Sequence, residues 1–131
     1  GLAQLEQVQS FINRKIEIAE KYKENFQHTD ILFHQCHPDV VHSYWMCSIL
    51  FRDANQREPL RNHLKLHGIE TRPLFYPIHT MPMYSKKFQR HIVAEDLAWR
   101  GINLPSFPEL SNEQIEYIAD LVKKFISETN H

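Results

Sequence analysis

Glycine is scarce: Gly1, Gly68 and Gly101 are the only three in 131 residues. They lie too far apart to form a glycine-rich loop around a phosphate, which excludes the common nucleotide-binding motifs. Cysteine is scarcer still, at two residues. Cys36 and Cys47 cannot supply a disulfide framework, and Cys47 falls between Met46 and Ser48 in an apolar run where a buried thiol is the usual outcome. No glycine turn stands near Cys47 to act as an oxyanion hole, so a nucleophilic role is set aside. No apolar run approaches the ~18 residues of a membrane helix, and no membrane partner is expected. Neither sign of charge prevails: 15 Lys and Arg against 16 Asp and Glu leave a net charge of −1. Nucleic acid and anionic lipid, which select strongly basic surfaces, are not expected partners. A reducing cytoplasm is the expected setting. The chain also lacks an initiator methionine, a signal peptide and an N-cap residue before its first helix, so it is expected to be a piece of a longer protein.

What is present is ordinary in bulk and specific in pattern. Hydrophobic residues make up 42% and charged residues 24%, enough for one domain over residues 1–131 with a sizeable core. Leu2, Leu5, Val8, Ile12, Ile16, Ala19, Tyr22 and Phe26 recur at spacings of three and four, predicting one long amphipathic helix of roughly 35–40 Å. Residues 31–33 (ILF) read as a short strand. Residues 41–51 (VHSYWMCSILF), rich in β-branched and aromatic side chains, read as a central strand. Asp53 or Asn55 can cap a second helix that puts Leu60, Leu64 and Leu66 inward and stops at Gly68. Residues 69–74 predict a strand that Pro73 weakens, placing it at an edge or letting it run out into the loop. A helical turn over 84–88, a short helix from Ile92 to a stop at Gly101, and an extended piece over 102–105 follow. The capping box Ser111–Gln114 then opens a final helix. The sum is an α+β domain, with helices laid against one small, mostly antiparallel sheet.

Residues 68–84 (GIETRPLFYPIHTMPMY) form the most unusual stretch. Its prolines remove backbone donors and fix φ, and such irregular segments commonly carry function. Arg72 offers a planar fork of donors for a carboxylate or phosphate, His79 can donate or accept near neutral pH, and Tyr76 and Tyr84 combine a stacking face with a hydroxyl. Two readings stand side by side. These residues form a ligand wall, or Arg72 pairs with Glu70 or Glu95 and the aromatics are core. His34, Cys36 and His37 invite a metal, but no second pair of ligands follows at zinc spacing, and a polar turn is the better account.

The segments GLAQLEQVQSFINRKIEIAEKY, SYWMCSILF, GIETRPLFYPIHTMPMY and AEDLAWRGINLPSFPELSNEQIEYIADLVKKF resemble, in order and spacing, the C-terminal part of the DegT/DnrJ/EryC1/StrS family of pyridoxal-phosphate-dependent sugar aminotransferases. Residues 44–46 (YWM) and the ETRP…YP.H..PMY pattern look most like its perosamine-synthase branch. The resemblance implies the small C-terminal domain of a fold-type I homodimer, whose large domain carries the Schiff-base lysine and the other cofactor contacts. None of those motifs is in this chain, so no catalytic or cofactor-binding residue is expected here and no cofactor is expected bound to it alone. Lys15, Lys65 and Lys123 sit on amphipathic helices and read as solvated. The implied activity of the whole enzyme is transfer of an amino group from glutamate to C4 of a 4-keto-6-deoxy nucleotide sugar, for polysaccharide or O-antigen synthesis. By the matched motif, His79 is the first candidate to contact the nucleotide sugar, with Tyr76, Met81 and Tyr84 beside it. Arg72 would contact the sugar's phosphates or glutamate's carboxylate, or orient the loop.

A non-enzymatic alternative is a free-standing binding or interaction module derived from that domain. A further expectation is that the apolar stripe of the first helix is exposed and drives self-association.

Overall fold

The structure, a computed structural model, describes residues 1–85 and 89–129. Four helices cover a sheet of four short strands: α1 (Leu2–Asn25), β1 (Leu32–Phe33), β2 (Cys47–Leu50), α2 (Arg57–Leu66), β3 (Arg72–Pro73), α3 (Ile92–Arg100), β4 (Gly101–Leu104) and α4 (Asn112–Thr129). The strand order is β1-β2-β4-β3, and every described pairing is antiparallel. This is the expected α+β fold. Helices α1 and α4 lie together, and with α2 they close a core in which Ile18, Tyr22, Ile49, Leu60, Leu64, Ile102, Ile115 and Val122 are fully buried. No described helix is long and apolar enough to cross a membrane.

Helix α1 follows its sequence period, but only its C-terminal half is anchored. Ile18, Ala19 and Tyr22 are buried, whereas Leu2, Leu5, Val8 and Phe11 stand in solvent, Leu2 at 74% exposure. The Tyr22 hydroxyl donates to the Pro105 carbonyl at 2.8 Å, so the buried phenol keeps a partner. Helix α4 opens on the expected capping box: Ser111 N–H donates to Gln114 Oε1 at 2.9 Å and Gln114 N–H to Ser111 Oγ at 3.2 Å. Neither Asp53 nor Asn55 caps α2 itself, whose N-cap Gln56 makes no side-chain cap bond; Asp53 caps the turn ahead of it. Asp53 Oδ1 accepts the Asn55 N–H at 2.9 Å and starts a 3₁₀ turn, Ala54–Gln56, that runs into the helix. Gly68 stops α2 as expected, at φ +77°, and the N–H groups of Gly68 and Ile69 close on the carbonyls of Lys65 and Leu64.

Three further expectations are corrected. Leu66 is 86% exposed, because it lies two residues beyond Leu64 and so about 200° round the helix from the buried Leu60–Leu64 row. The strand expected over 41–51 is paired only at Cys47–Leu50. Tyr44 takes a left-handed backbone at φ 45°, its N–H donates to His42 Nδ1 at 2.8 Å, and Val41 is 83% exposed, so the first half of that run turns away from the sheet. The ladder to β1 ends where the His34 imidazole intervenes: continuing the register would set His34 opposite Ser48, and His34 Nε2 itself accepts the Ser48 N–H at 2.9 Å. The strand expected over 69–74 shortens to Arg72–Pro73, on the expected edge. Residues 84–85 close a backbone turn onto the Met81 carbonyl, and the rest of the helical turn expected over 84–88 lies outside the described residues.

Gly101 joins α3 to β4 with extended backbone, so its role is steric. A Cβ there would run into the Leu74 side chain and sit 2.9 Å from Leu50 Cδ2. Only hydrogen fits where β3, β2 and β4 converge.

Candidate functional site

Arg72 sits on the edge strand β3, and its exposed side chain makes no ion pair or hydrogen bond to a described residue. Neither Glu70 nor Glu95 takes it, contrary to the bland alternative read from the sequence. It lines a groove of about 680 Å³ with Lys15, Trp45, Asn103, Ser106 and Tyr117. The groove's wall is pinned from within: Ser48 Oγ donates to Asn103 Oδ1 at 2.6 Å, and Asn103 Nδ2 reaches the Pro73 carbonyl at 3.4 Å.

Lys15 is not the solvated-face residue its helix position suggests. Its Nζ donates to the carbonyls of Trp45 at 2.9 Å and Ser106 at 2.6 Å, and to Ser106 Oγ at 2.9 Å. Three acceptors use all three ammonium protons. Burial lowers its pKa, partly opposed by the neighbouring Cys47 thiol. Lys123 is likewise engaged, with Asp120 at 2.9 Å. A lysine that carries a cofactor needs a free amine facing a pocket, and Lys15, the lysine that lines the groove, has none to spare. Lys15 therefore does not fit the role of a cofactor-bearing lysine.

The second half of the stretch 68–84 docks elsewhere, on α3. Tyr76 meets Trp99 edge-on at 6.0 Å, and His79 Nε2 donates to Glu95 Oε1 at 3.0 Å. Glu95 and Trp99 are four residues apart, so Tyr76 and His79 settle on one face of α3, one turn from each other. Glu95 also accepts from Arg90 Nε at 3.0 Å and from the His91 backbone N–H at 3.0 Å. The His79 hydrogen bond, the His91 N–H and Arg90 together hold the Glu95 carboxyl below its ordinary pKa. The His79 and Glu95 side chains are 11% and 16% exposed. Met81 is half-buried and Tyr84 exposed in the turn that follows.

Helix α3 is secured by arginines more than by apolar packing, since Ala98 is its one buried described residue. Buried Arg57 donates to the Ala98 carbonyl at 2.7 Å with its guanidinium 5.5 Å from the Trp99 ring, and Arg100 donates to the Phe51 carbonyl at 2.7 Å.

Of the five candidates, the structure thus brings Tyr76 and His79 onto one helix face, with Met81 and Tyr84 in the adjoining turn, and sets Arg72 apart in the groove. The two areas touch where Phe75 stacks on the groove residue Trp45, ring centroids 6.2 Å apart. Sequence reasoning missed Lys15, and it named Glu95 only as a partner for Arg72. The available signal was Glu95's place in the first turn of α3, where a carboxylate gathers backbone donors. The turn at 34–37 is already occupied: His34 Nε2 serves the Ser48 N–H, and Cys36 Sγ donates to the Val40 carbonyl at 3.0 Å. No cluster of three His, Cys, Asp or Glu side chains suited to a metal occurs among the described residues.

Comparison with known proteins joins these observations. The chain is 60% identical over 128 residues to a GDP-perosamine synthase of Escherichia coli O157:H7, covering 98% of this chain and 35% of that protein. It is 35% identical over 131 residues to a GDP-perosamine synthase of Vibrio cholerae, covering 97% and 36%. The chain thus spans about a third of the length of these relatives. Its fold superposes on Helicobacter pylori PseC, an aminotransferase involved in pseudaminic acid biosynthesis, with a TM-score of 0.85 at 25% identity, over 98% of this chain and 36% of that one. It also superposes on the aminotransferase TlmJ of Streptoalloteichus hindustanus, with a TM-score of 0.91 at 24% identity, over 98% and 35%. Residues 1–123 match the DegT/DnrJ/EryC1/StrS aminotransferase family, as the motifs led one to expect, and the chain belongs to that family.

Proposed function

We propose that this chain is the C-terminal, substrate-side domain of a pyridoxal-phosphate-dependent aminotransferase that moves an amino group from glutamate to a 4-keto-6-deoxy nucleotide sugar of the perosamine type. The observation that carries the reading is the 60% identity to a GDP-perosamine synthase across nearly the whole chain. In this reading the enzyme is a cytoplasmic homodimer, and the cofactor and its lysine belong to the remainder of the polypeptide. When bound, the cofactor supplies the electron sink that lets an amino group leave one carbon skeleton and join another.

The residues of this chain bind and orient. His79, with Tyr76, Met81 and Tyr84, faces the nucleotide sugar. Arg72, unpaired among the described residues, meets an anionic group, either the sugar's phosphates or glutamate's carboxylate. Trp45 and Phe75 connect the two areas as an aromatic wall.

The test is steady-state kinetics of the full-length enzyme with glutamate and a 4-keto nucleotide sugar. His79→Ala should raise KM for the sugar by roughly tenfold and leave the glutamate half-reaction unchanged, the mark of a contact made to one substrate only. Unchanged sugar kinetics would remove His79 from the site. A native gene product of this length without the cofactor's absorbance would favour the free-standing module instead.

A further inference from the structure

Glu95 collects three kinds of donor at one carboxylate: the His79 ring, the Arg90 guanidinium and the backbone N–H of His91 at the start of α3. The last two come from residues adjoining or opening the helix, so the carboxylate is held from its own element as well as by His79. The His91 ring closes on His79 edge-on, centroids 4.6 Å apart, and limits its rotation. One nitrogen of His79 is spoken for. The other, Nδ1, has no hydrogen-bond partner among the described residues and is not among their sealed, unsatisfied polar atoms.

We propose that Glu95 is the positioning residue for His79: it accepts the hydrogen bond from Nε2–H, holds the ring plane, and leaves Nδ1 as the atom offered to the nucleotide sugar. The inference rests on the reading of His79 as a substrate contact and extends it to how that contact is aimed. An imidazole has two neutral tautomers, and a carboxylate on one nitrogen selects the form that carries its proton there. In that form Nδ1 is an acceptor, matched to a ligand hydroxyl or N–H. The mount is rigid because α3 is tied down at Ala98 by Arg57 and at Phe51 by Arg100. The loop, through its histidine, borrows the stiffness of a helix it does not belong to.

The experiment pairs two variants with a double mutant in the full-length aminotransferase. Glu95→Ala is expected to raise KM for the nucleotide sugar by roughly tenfold with the glutamate half-reaction intact, the scale on which the partner that orients a histidine usually matters. Glu95→Gln keeps an oxygen that can accept from Nε2 and should restore most of the loss. In a His79→Ala background, Glu95→Ala should add nothing, since the pair acts as a unit. Nitrogen-15 shifts of His79 in the unmodified chain should report the Nε2–H tautomer. A normal sugar KM in Glu95→Ala, while His79→Ala is impaired, overturns the positioning role and leaves the substrate reading intact. Loss in both half-reactions, or a further loss in the double mutant, shows Glu95 acting by another route and overturns the inference as well. An unselected mixture of tautomers does the same. No effect from His79→Ala removes the substrate reading itself.

Discussion

Two charged side chains, Lys15 and Glu95, each gather several partners at one point, and they do opposite jobs. Lys15 spends its protons on backbone carbonyls and a serine from segments 30 and 91 residues away. It staples α1 to the segment entering β2 and to the chain leaving β4, the two strands at the centre of the sheet. Glu95 gathers donors from α3's own approach and from one loop histidine at the surface. Removing the first should damage the fold, whereas removing the second should mainly misdirect one ring. A charge with many hydrogen bonds is therefore not one kind of feature: what it holds decides what it is for.

The contrast breaks first at Lys15. Lys15→Met retains the aliphatic stem but leaves two carbonyls and a hydroxyl without their charged donor, and should destabilise the chain by about 2 kcal/mol, the scale of hydrogen bonds to a charged group. Urea unfolding measures it, and a midpoint equal to wild type would mean solvent replaces the ammonium. Glu95→Ala, measured alongside, should shift the midpoint less. Ser111→Ala supplies a reference with no expected part in the site. It removes the hydroxyl half of the α4 capping box and should cost about 1 kcal/mol. An intact sugar KM in that variant would separate stability from positioning.

The smallest effect is in pH. Burial, with His42 beside it, lowers the pKa of His34 below its ordinary value, so the folded state binds fewer protons there than the unfolded chain. Stability from this group is complete above about pH 6.5 and falls as the pH drops toward the folded value, because a protonated Nε2 cannot accept the Ser48 N–H. Glu95, held below the usual carboxylate range, loses its contribution only later, as the pH falls from about 4.5 through its folded pKa. Thermal melts from about pH 8 to about pH 5 should therefore slope downward, and His34→Gln, whose amide oxygen can accept without titrating, should flatten them. A profile unchanged by that substitution would mean the imidazole is not the element that ends the β1–β2 ladder.

The helices were legible because their signals are local. The period of α1, the Ser111–Gln114 box and the stop at Gly68 each involve residues within a turn of one another, and each is found where the pattern put it. The edge position of β3 follows in the same way from Pro73. The early end of the β1–β2 ladder was hidden, since it depends on a histidine 14 residues from Ser48 taking the place of a strand, and the shortness of β2 was hidden in the left-handed turn at Tyr44. Lys15 was hidden for the same reason: a lysine on an amphipathic helix looks solvated until the fold brings carbonyls to it. Of the candidate site, the stretch 68–84 stood out by composition. Its division between a groove and a helix face did not, because only the docking of Tyr76 and His79 on α3 separates them from Arg72.

The chain has two tryptophans, and both touch this stretch: Trp45 lies on Phe75 and Trp99 meets Tyr76. Trp45 is also 71% exposed. Within this chain, therefore, neither tryptophan lies in the buried core. The emission of these two residues reads residues 75 and 76 from both sides, and a ligand that reorders the aromatic wall should change its colour or intensity.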